Sequence, residues 1–397
     1  MESLAREAPA PFPARRRIDS VDVLRGLVMI VMALDHTRDY FSTLRFDPLD
    51  LAHTTPAIFF TRWITHFCAP VFVFLAGTGA RLSRARGRSP AALAHFLWTR
   101  GLWLVVVEVT LVSFGWSFDP GLHAIVLQVI WAIGWSMVFL ALLVRLPVGT
   151  IGAIGVAIVF LHNLLDPIRP ERFGAFAGLW NVLHVQSWTP IARPGGHAVM
   201  LVYPLIPWIG VIAAGYAFGE VYVWDAARRR RFLLGLGTGL TLLFVALRWT
   251  NLYGDPHRWA PQKNALFTVM SFVNCEKYPP SLLYLLMTLG PSIALLAFLE
   301  RRPGPVASKV VVYGRVPFFY YVIHIPLIHA MALAFFLMKY GPVIFQYGPQ
   351  NPPPENGGLS LAGIYLAWAI AVSVLYFPCR WFAGLKARRR DAWLSYV

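Results

Sequence analysis

The sequence predicts an all-α fold, a polytopic bundle of about ten transmembrane helices. Of its 397 residues, 57% are hydrophobic and only 14% are charged, whereas about a quarter of the residues are charged in a typical soluble domain. Several windows of about 20 residues carry few or no charges, which is long enough for a helix to cross a bilayer. The basic residues fall in short clusters between these windows. Together these observations indicate one helical membrane domain.

The basic clusters account for the net charge of +16 and predict the topology. A nucleic-acid-binding protein gathers its basic residues on one soluble surface, but here they are dispersed at 15–17, 81–88, 228–231, 301–302 and 388–390. Basic loops stay on the cytoplasmic side of a membrane. We therefore predict that both termini are cytoplasmic, that the lipid bilayer is a partner, and that no nucleic acid binds.

The predicted spans, in chain order, are 21–41, 56–82, 97–116, 122–144, 148–164, 198–222, 231–249, 281–299, 312–338 and 360–382. The loops after the second, sixth and eighth spans are rich in arginine, which agrees with an even number of spans. An eleventh apolar segment, 174–188, is predicted to lie at the surface or to be re-entrant. The glycine runs AGTGA and GLGTGL predict helix faces that pack closely in lipid.

The domain plan predicted from composition has three parts. Residues 1–17 form a disordered basic cytoplasmic tail without the apolar core of a secretory signal, 18–385 form the transmembrane domain, and 386–397 form a second basic tail. The three cysteines have the spacing of neither a disulfide framework nor a metal site. We therefore expect no metal.

The first span ends in four ionisable residues, Asp35, His36, Arg38 and Asp39. Such side chains are costly in or near hydrocarbon and usually mark a functional site. On a helix, Asp39 is predicted to hydrogen-bond one ring nitrogen of His36 and to leave the other free as a base. Asp35 and Arg38 are predicted to neutralise each other in the same way. The alternative is that all four anchor the helix end at the headgroups.

The second span places two basic residues, Arg62 and His66, on one helix face. Two adjacent cations within the membrane need an anionic partner, for which Asp35, Asp39 and an anionic ligand are the candidates. The alternative is a structural pair that joins the first two helices. His53 lies in the outer loop before this span.

Other polar residues recur at the same depth of the predicted bundle. Lys277 precedes the eighth span, and His324 and His329 lie in the ninth. A lone interfacial histidine is more often an anchor than a catalyst. Glu108 falls in the middle of the third span, where we expect it to pair with a basic group or to be protonated. Arg25, near the cytoplasmic end of the first span, either snorkels to the interface or meets a phosphate-bearing ligand.

Two segments, RIDSVDVLRGLVMIVMALDHTRDYF and HTTPAIFFTRWITHFCAPVFVFLAGTGARLS, resemble the bacterial branch of the heparan-alpha-glucosaminide N-acetyltransferase catalytic-domain family. YPLIPWIGVIAAGYAFG, KYPPSLLYLLMTLGP and YGRVPFFYYVIHIPLIH extend the resemblance over nearly the whole chain. The first helix also resembles that of the wider integral-membrane acyltransferases, with Arg25 matching their arginine and His36 their histidine. When the alignment includes a gap of a few residues, His53 matches the active histidine of the lysosomal enzyme of this family. That enzyme has Asn at the position of His36.

The resemblance implies a multi-pass acyltransferase of the bacterial inner membrane. It would move an acyl group, acetyl above all, from a cytoplasmic acyl-CoA to an extracytoplasmic sugar, glycan or lipid-linked acceptor. Either His36 with Asp39 or else His53 would remove the acceptor's proton, or the histidine would itself be acylated transiently. The residues assigned to acceptor or oxyanion binding are Asp35, Arg38, Arg62, His66, Lys277, His324 and His329. The residues assigned to the phosphates of CoA are Arg25, Arg81 and Arg84.

Two other function classes remain open. A proton-coupled transporter or flippase would use the same histidines and carboxylates as a relay, but many such folds carry internal repeats, and none is evident in this sequence. A non-catalytic membrane partner would not need so many ionisable groups within the membrane. The sequence does not determine the oligomeric state, and a homodimer is compatible with it.

Overall fold

The computed structural model of this chain describes residues 18–192, 198–300, 304–346, 353–355, 357–389 and 391–397. The tail predicted at 1–17 lies outside the described residues. The described chain is mainly helical, and many of its helices are apolar and long. The predicted fold class, a helical membrane bundle, is therefore confirmed.

The helices of the described chain follow one another along its whole length. They are α1 (Asp19–Phe41), α2 (Pro56–Trp63), α3 (Cys68–Ala85), α4 (Pro90–Val107), α5 (Ser113–Ser117), α6 (Val129–Leu143), α7 (Val148–Leu161), α8 (Ala177–Leu183), α9 (Leu205–Phe218), α10 (Ala226–Thr250), α11 (Ala265–Val273), α12 (Leu282–Leu299), α13 (Pro305–Arg315), α14 (Pro317–Tyr340) and α15 (Leu361–Arg388). A 3₁₀ turn at Ile64–Phe67 joins α2 to α3, and a π-helical turn at Glu108–Val112 joins α4 to α5.

Eight helical stretches of the described residues are long and apolar enough to cross a membrane. They are Pro56–Ala85, Pro90–Ser117, Val148–Leu165, Leu205–Val223, Ala226–Thr250, Leu282–Leu299, Pro317–Gln346 and Leu361–Arg388. Each overlaps one of the ten predicted spans. The other two predicted spans correspond to α1, which carries the charged cluster, and to the shorter apolar helix α6.

Two of the predicted spans begin with a strand rather than a helix. Strand β1 (Ala124–Leu127) precedes α6 and β3 (Ala198–Leu201) precedes α9, with β2 (Ser187–Ala192) pairing on the other edge of β3. β1 runs parallel to β3 and β2 runs antiparallel to it. The helical predictions for these two span starts are wrong, because a short apolar run does not distinguish a buried strand from a helical turn.

The eleventh apolar segment, 174–188, contributes the short helix α8 and the start of β2. Its helical residues are exposed or half-buried, with none of α8 fully buried. The segment therefore does not form a span in the described chain, in agreement with the surface alternative.

Helix α1 lies at the centre of the bundle, in contact with α3, α12, α13, α14 and α15. Two glycines make its approach to α13 close: a Cβ on Gly26 would collide with the carbonyl oxygen of Val310, and one on Gly314 with that of Asp22. This packing fixes α1 along its length, so the charged residues at its end have a defined position.

The close helix packing predicted for the glycine runs AGTGA and GLGTGL is confirmed at one glycine in each run. A Cβ on Gly77 would collide with the Ile212 carbonyl oxygen on α9, and one on Gly237 would collide with the Ala294 backbone nitrogen on α12. Backbones approach this closely only where no side chain intervenes. The α3–α9 and α10–α12 pairs therefore depend on glycine.

The chain that follows α15 turns back onto the bundle. The Tyr396 hydroxyl lies 2.7 Å from the Thr99 hydroxyl on α4, and the Lys386 amine donates to the carbonyl oxygen of Val397 at 2.7 Å. Leu394 is buried. Within the segment predicted as a basic tail at 386–397, Leu394, Tyr396 and Val397 thus contact the rest of the chain.

Candidate active site

A cavity of about 650 Å³, here the outer cavity, lies at the end of α1 that the predicted topology places outside. α1 contributes five side chains to its wall. The α1–α2 loop, α2 and the turn before α12 contribute others. Its charged and titratable lining residues include Asp35, His36, Arg38, Asp39, Asp47, Arg62, Tyr203, Lys277, Tyr278 and Tyr321. Ionisable groups from separate parts of the chain therefore converge on one space, as the sequence predicted for α1 and α2.

Asp35 is the centre of the charge arrangement in the outer cavity. Its carboxylate lies 2.9 Å from the Arg38 guanidinium and forms a second ion pair with Arg62. Both predicted interactions, the one along α1 and the one between the first two spans, are confirmed. The three side chains are mostly buried, and a buried carboxylate is retained in charged form only when such partners compensate its lost hydration.

His36 has a different environment from the one predicted. Its Nδ1 is 3.9 Å from Asp39 and has no hydrogen-bond partner in the part of the chain that the structure describes, because Asp39 is held at 2.5 Å by Arg38. The predicted His36–Asp39 hydrogen bond is therefore not formed. The imidazole instead packs edge-on against Trp116 at 5.0 Å and beside His324 at 5.2 Å. Nδ1 is buried, and the His36 side chain lines the outer cavity.

Three other histidines predicted for the site, His66, His324 and His329, differ from His36 in their surroundings. His324 is fully buried and its Nδ1 is 2.6 Å from the carbonyl oxygen of Tyr321, which requires the proton on Nδ1 and leaves Nε2 unprotonated in the neutral ring. His329 contacts the Gly115 carbonyl oxygen at 3.1 Å. His66 is fully buried against the Tyr284 ring, and neither of its nitrogens has a partner among the described residues. None of the three lines the outer cavity.

His53 lies outside the outer cavity. Its side chain is 66% exposed and its Nδ1 is 2.6 Å from the Asp50 carboxylate. The hydrogen bond from His53 lowers the pKa of Asp50, as does a backbone hydrogen bond. The same loop reaches the cavity through Asp47, not through His53. The structure thus separates the two histidines between which the sequence left the role of base open.

Lys277 lies in a braced turn between α11 and α12, at the wall of the outer cavity. The Tyr278 backbone N–H donates to Glu276 Oε1 at 2.8 Å, and the Ser281 N–H to the Glu276 carbonyl at 3.0 Å. His162, at the end of the α7 span, lies with Nε2 2.8 Å from the Pro280 carbonyl oxygen. These contacts fix the turn from both sides, so Lys277 is presented to the cavity from a rigid support.

Arg248 holds the loop that leads to this turn. It is almost completely buried at the end of α10, and it donates to the carbonyl oxygens of His257, Ser271, Phe272 and Asn274. Charge-assisted hydrogen bonds of this kind are stronger than neutral ones. Arg248 was not singled out from the sequence, although an arginine inside an apolar span is a signal for such a role.

Of the two alternatives predicted for Glu108, the structure does not show pairing with a basic group among the described residues, and the carboxyl group has a backbone partner. It is fully buried in the π-helical turn, and its Oε1 accepts from the Gln128 backbone N–H at 3.2 Å. Gln128 immediately precedes α6, so the carboxyl group lies at the N-terminus of that helix, where negative charge is favoured. Gln128 also lines the outer cavity. By holding Gln128, Glu108 thus positions part of the wall of the outer cavity.

A second cavity of about 310 Å³, here the inner cavity, lies towards the Arg25 end of α1. Its four charged lining side chains are all basic: Arg25, Arg100, Arg315 and Lys386. Three residues, Phe72, Val129 and Tyr321, line both cavities and are called the partition below.

Of the three basic residues predicted to meet CoA phosphates, Arg25 lines the inner cavity. Arg81 instead pairs with Glu220, and Arg84 donates to the Arg88 carbonyl oxygen at 3.1 Å. Both line a separate surface depression near Arg145. The missed residues Arg315 and Lys386 lie far along the chain from Arg25, and no spacing rule connects them. Arg100, within an apolar helix, carried a signal that was not used.

Comparison with known protein families identifies the chain. The model of the catalytic domain of heparan-alpha-glucosaminide N-acetyltransferase matches residues 17–248, and a search of curated proteins finds no match. The matched part exceeds half of the chain and contributes His36, Asp35 and Arg62 to the outer cavity. The chain therefore belongs to this family, and the predicted resemblance is confirmed.

Proposed function

We propose that this member of the heparan-alpha-glucosaminide N-acetyltransferase catalytic-domain family transfers an acetyl group across the bacterial inner membrane. Acetyl-CoA enters the inner cavity from the cytoplasm, and a sugar, glycan or lipid-linked acceptor enters the outer cavity. The observation that carries the proposal is the shared partition, because it allows a donor held on the basic side to meet an acceptor held beside His36.

His36 acts as the general base in this proposal. Its Nε2 removes the proton from the acceptor hydroxyl or amine while the acceptor atom bonds to the thioester carbonyl carbon. The carbon–sulfur bond then breaks, which gives the acetylated acceptor and CoA. His36 is preferred to His53 because it lines the outer cavity, whereas His53 is exposed and pairs with Asp50.

Two cations at the cavity wall support charge development on the thioester oxygen. Lys277 and Arg62 come from different elements, and both line the outer cavity. Fixed positive groups in a site of low polarity stabilise an oxyanion without having to reorient during the reaction. Arg38 is already engaged by both Asp35 and Asp39, so its role is to keep those carboxylates paired.

The inner cavity is suited to the phosphates of CoA. Arg25, Arg100, Arg315 and Lys386 place four basic side chains on its wall, and Arg25 also pairs with Asp22 at 3.1 Å. Arginine pairs with phosphate through two parallel hydrogen bonds. The pantetheine arm would extend from these residues along α1 towards the partition. Arg25 and His36 are about 16 Å apart along the helix axis, a span that suits a long, flexible carrier arm.

The proposal is tested with the purified full-length protein in detergent, radiolabelled acetyl-CoA and a panel of amino sugars, neutral glycans and lipid-linked sugars. We expect acceptor-dependent release of CoA and label on the acceptor. His36→Gln should reduce the rate by about 100-fold or more, the usual contribution of a general base, while His53→Gln stays within about twofold of wild type.

The opposite pattern for the two histidine variants would assign the base to His53. In proteoliposomes, label that crosses the membrane without a covalent change would contradict acyl transfer and favour the transporter alternative.

A further inference from the structure

Three tyrosines from three separate elements line the outer cavity, and none of them has a role in the reaction described so far. Tyr203 precedes α9, Tyr278 lies in the turn before α12, and Tyr321 lies on α14. Tyr321 belongs to the partition and lines the inner cavity as well. Tyr203 and Tyr278 contact each other, and Tyr321 lies at the partition, where the thioester would lie.

Tyr278 is the member of this group with cationic neighbours. The Lys277 amine interacts with its hydroxyl and lies 4.9 Å from its ring centroid. The Tyr203 ring packs edge-on against it at 5.2 Å. Arg62 and Asp35 are the other charged groups that act on it. A phenolate formed at Tyr278 would therefore be stabilised by adjacent positive charge.

The pKa values of the two neighbouring phenols, Tyr278 and Tyr203, are shifted in opposite directions. Burial alone would raise the pKa of Tyr278, but the charges of Lys277 and Arg62 outweigh burial and lower the pKa below its ordinary value. Burial and the nearby Tyr278 raise the pKa of Tyr203 well above that value. Adjacent titratable groups whose pKa values are separated by their surroundings are typical of acid–base sites.

The position of Tyr278 is fixed before any ligand binds. Its backbone N–H is held by Glu276, and the turn is held by His162 through the Pro280 carbonyl oxygen. Ser281 ends the turn by capping α12 with its side chain and by donating to Asp255 at 2.7 Å. Proton transfer benefits from such preorganised geometry.

Departure of the CoA sulfur is faster when a proton reaches it as the carbon–sulfur bond breaks. A second group on the leaving-group side can donate that proton while His36 still holds the proton of the acceptor. We propose that Tyr278, assisted by Lys277, is the catalytic acid that protonates the CoA sulfur as the carbon–sulfur bond breaks. This inference rests on the proposed acetyl transfer.

The proton balance closes within the outer cavity. His36 gains the proton that the acceptor loses, and Tyr278 loses a proton to the sulfur. The electron pair of the broken carbon–sulfur bond becomes the new sulfur–hydrogen bond. Transfer of the extra proton from the His36 imidazolium to the Tyr278 phenolate through water then resets both groups, so no other reactant is needed.

The test compares Tyr278→Phe with the matched variant Tyr320→Phe in the full-length protein. Tyr320 is fully buried on α14, its hydroxyl has no hydrogen-bond partner, and it lines neither cavity. With acetyl-CoA we expect Tyr278→Phe to lower kcat by about 100-fold or more, with KM for acetyl-CoA little changed, and Tyr320→Phe to behave as wild type.

A second donor separates an acid from a residue that only positions the thioester. The para-nitrophenyl thioester of acetic acid has a leaving thiolate that departs without a proton. With this donor Tyr278→Phe should keep most of the wild-type rate. An equal loss with both donors would overturn the acid role, and so would full activity of Tyr278→Phe with acetyl-CoA.

Lys277→Met provides a second variant should Tyr278→Phe fail to fold. It should lower kcat with acetyl-CoA and move the alkaline limb of the pH–rate profile to higher pH, because the phenol loses its stabilising cation. An unchanged limb would overturn the inference. Absence of any transfer by the wild-type protein would overturn the proposed function and this inference with it, whereas the variant results above concern Tyr278 alone.

Discussion

The Asp35 carboxylate of α1 forms an ion pair with the Arg62 guanidinium of α2 inside the outer cavity. The same carboxylate pairs with Arg38 at 2.9 Å on its own helix. One acidic residue thus joins the first two helical segments and sets the charge of the cavity beside His36. A change at either end of this pair should affect stability and transfer together.

Arg62→Ala should lower the free energy of unfolding by about 2 kcal/mol, the low end for truncation of one partner of a buried charge pair. The loss stays at the low end because Arg38 continues to neutralise Asp35. Thermal unfolding in detergent measures it. The double variant Asp35→Asn with Arg62→Gln should be more stable than the sum of the two single changes indicates. Additive effects would show that the pair contributes nothing.

Arg315→Ala should raise KM for acetyl-CoA by about tenfold, because one charged hydrogen bond to phosphate contributes roughly 1.5–3 kcal/mol. The effect should decrease at high salt, which screens exposed charges. Arg84→Ala, at the separate depression, should leave KM unchanged. An increase of KM for Arg84→Ala alone would show that the CoA phosphates bind at the depression lined by Arg81 and Arg84.

Gly77→Ala should destabilise the bundle by about 1–3 kcal/mol, the usual effect of overpacking. The added Cβ would collide with the backbone of α9, which cannot move aside as a side chain can. Gly239→Ala is the matched control, because a Cβ there meets nothing within 4 Å and alanine is the better helix former by about 1 kcal/mol. Equal unfolding temperatures for the two variants would contradict the close α3–α9 packing.

Arg248→Lys should destabilise the protein by about 3 kcal/mol, because hydrogen bonds to charged groups contribute about 1.5–3 kcal/mol each and lysine would lose some of the four to carbonyl oxygens. An ammonium group cannot reproduce the planar fork that reaches four carbonyl oxygens. Because Arg248 holds the loop leading to Lys277, transfer should fall as well. Arg230→Ala, an exposed change on the same helix, should affect neither. Retained activity at reduced stability would show that the turn keeps its position without this clamp.

The helices and the local pairs were predictable because both depend on neighbouring residues. Hydropathy over a window locates the membrane helices, and the i,i+3 spacing predicts the Asp35–Arg38 pair directly. For the partner of Arg62, the sequence left Asp35, Asp39 and an anionic ligand open, and the structure shows Asp35. The sheet formed by β1, β2 and β3 was missed, because its pairing joins segments far apart in the chain.

The same spacing rule failed at His36. It predicted a hydrogen bond to Asp39, but the adjacent Arg38 holds that carboxylate at 2.5 Å. A permanently charged guanidinium competes more strongly for a carboxylate than a neutral imidazole does. His66 is a second case: it was predicted to share a helix face with Arg62, but it lies in the 3₁₀ turn after α2 and is buried beside Tyr284.

By itself the amino-acid sequence determined the membrane bundle, its helical segments and the family, because these follow from composition and from residues close together in the chain. Only the tertiary structure decided which polar groups share a cavity. Arg100, Arg315 and Lys386 meet Arg25, and Tyr278 and Tyr321 join the wall near His36, while His53 is left outside. The physical reason is that burial and charge pairing between distant segments depend on how the helices pack, and no local spacing encodes that packing.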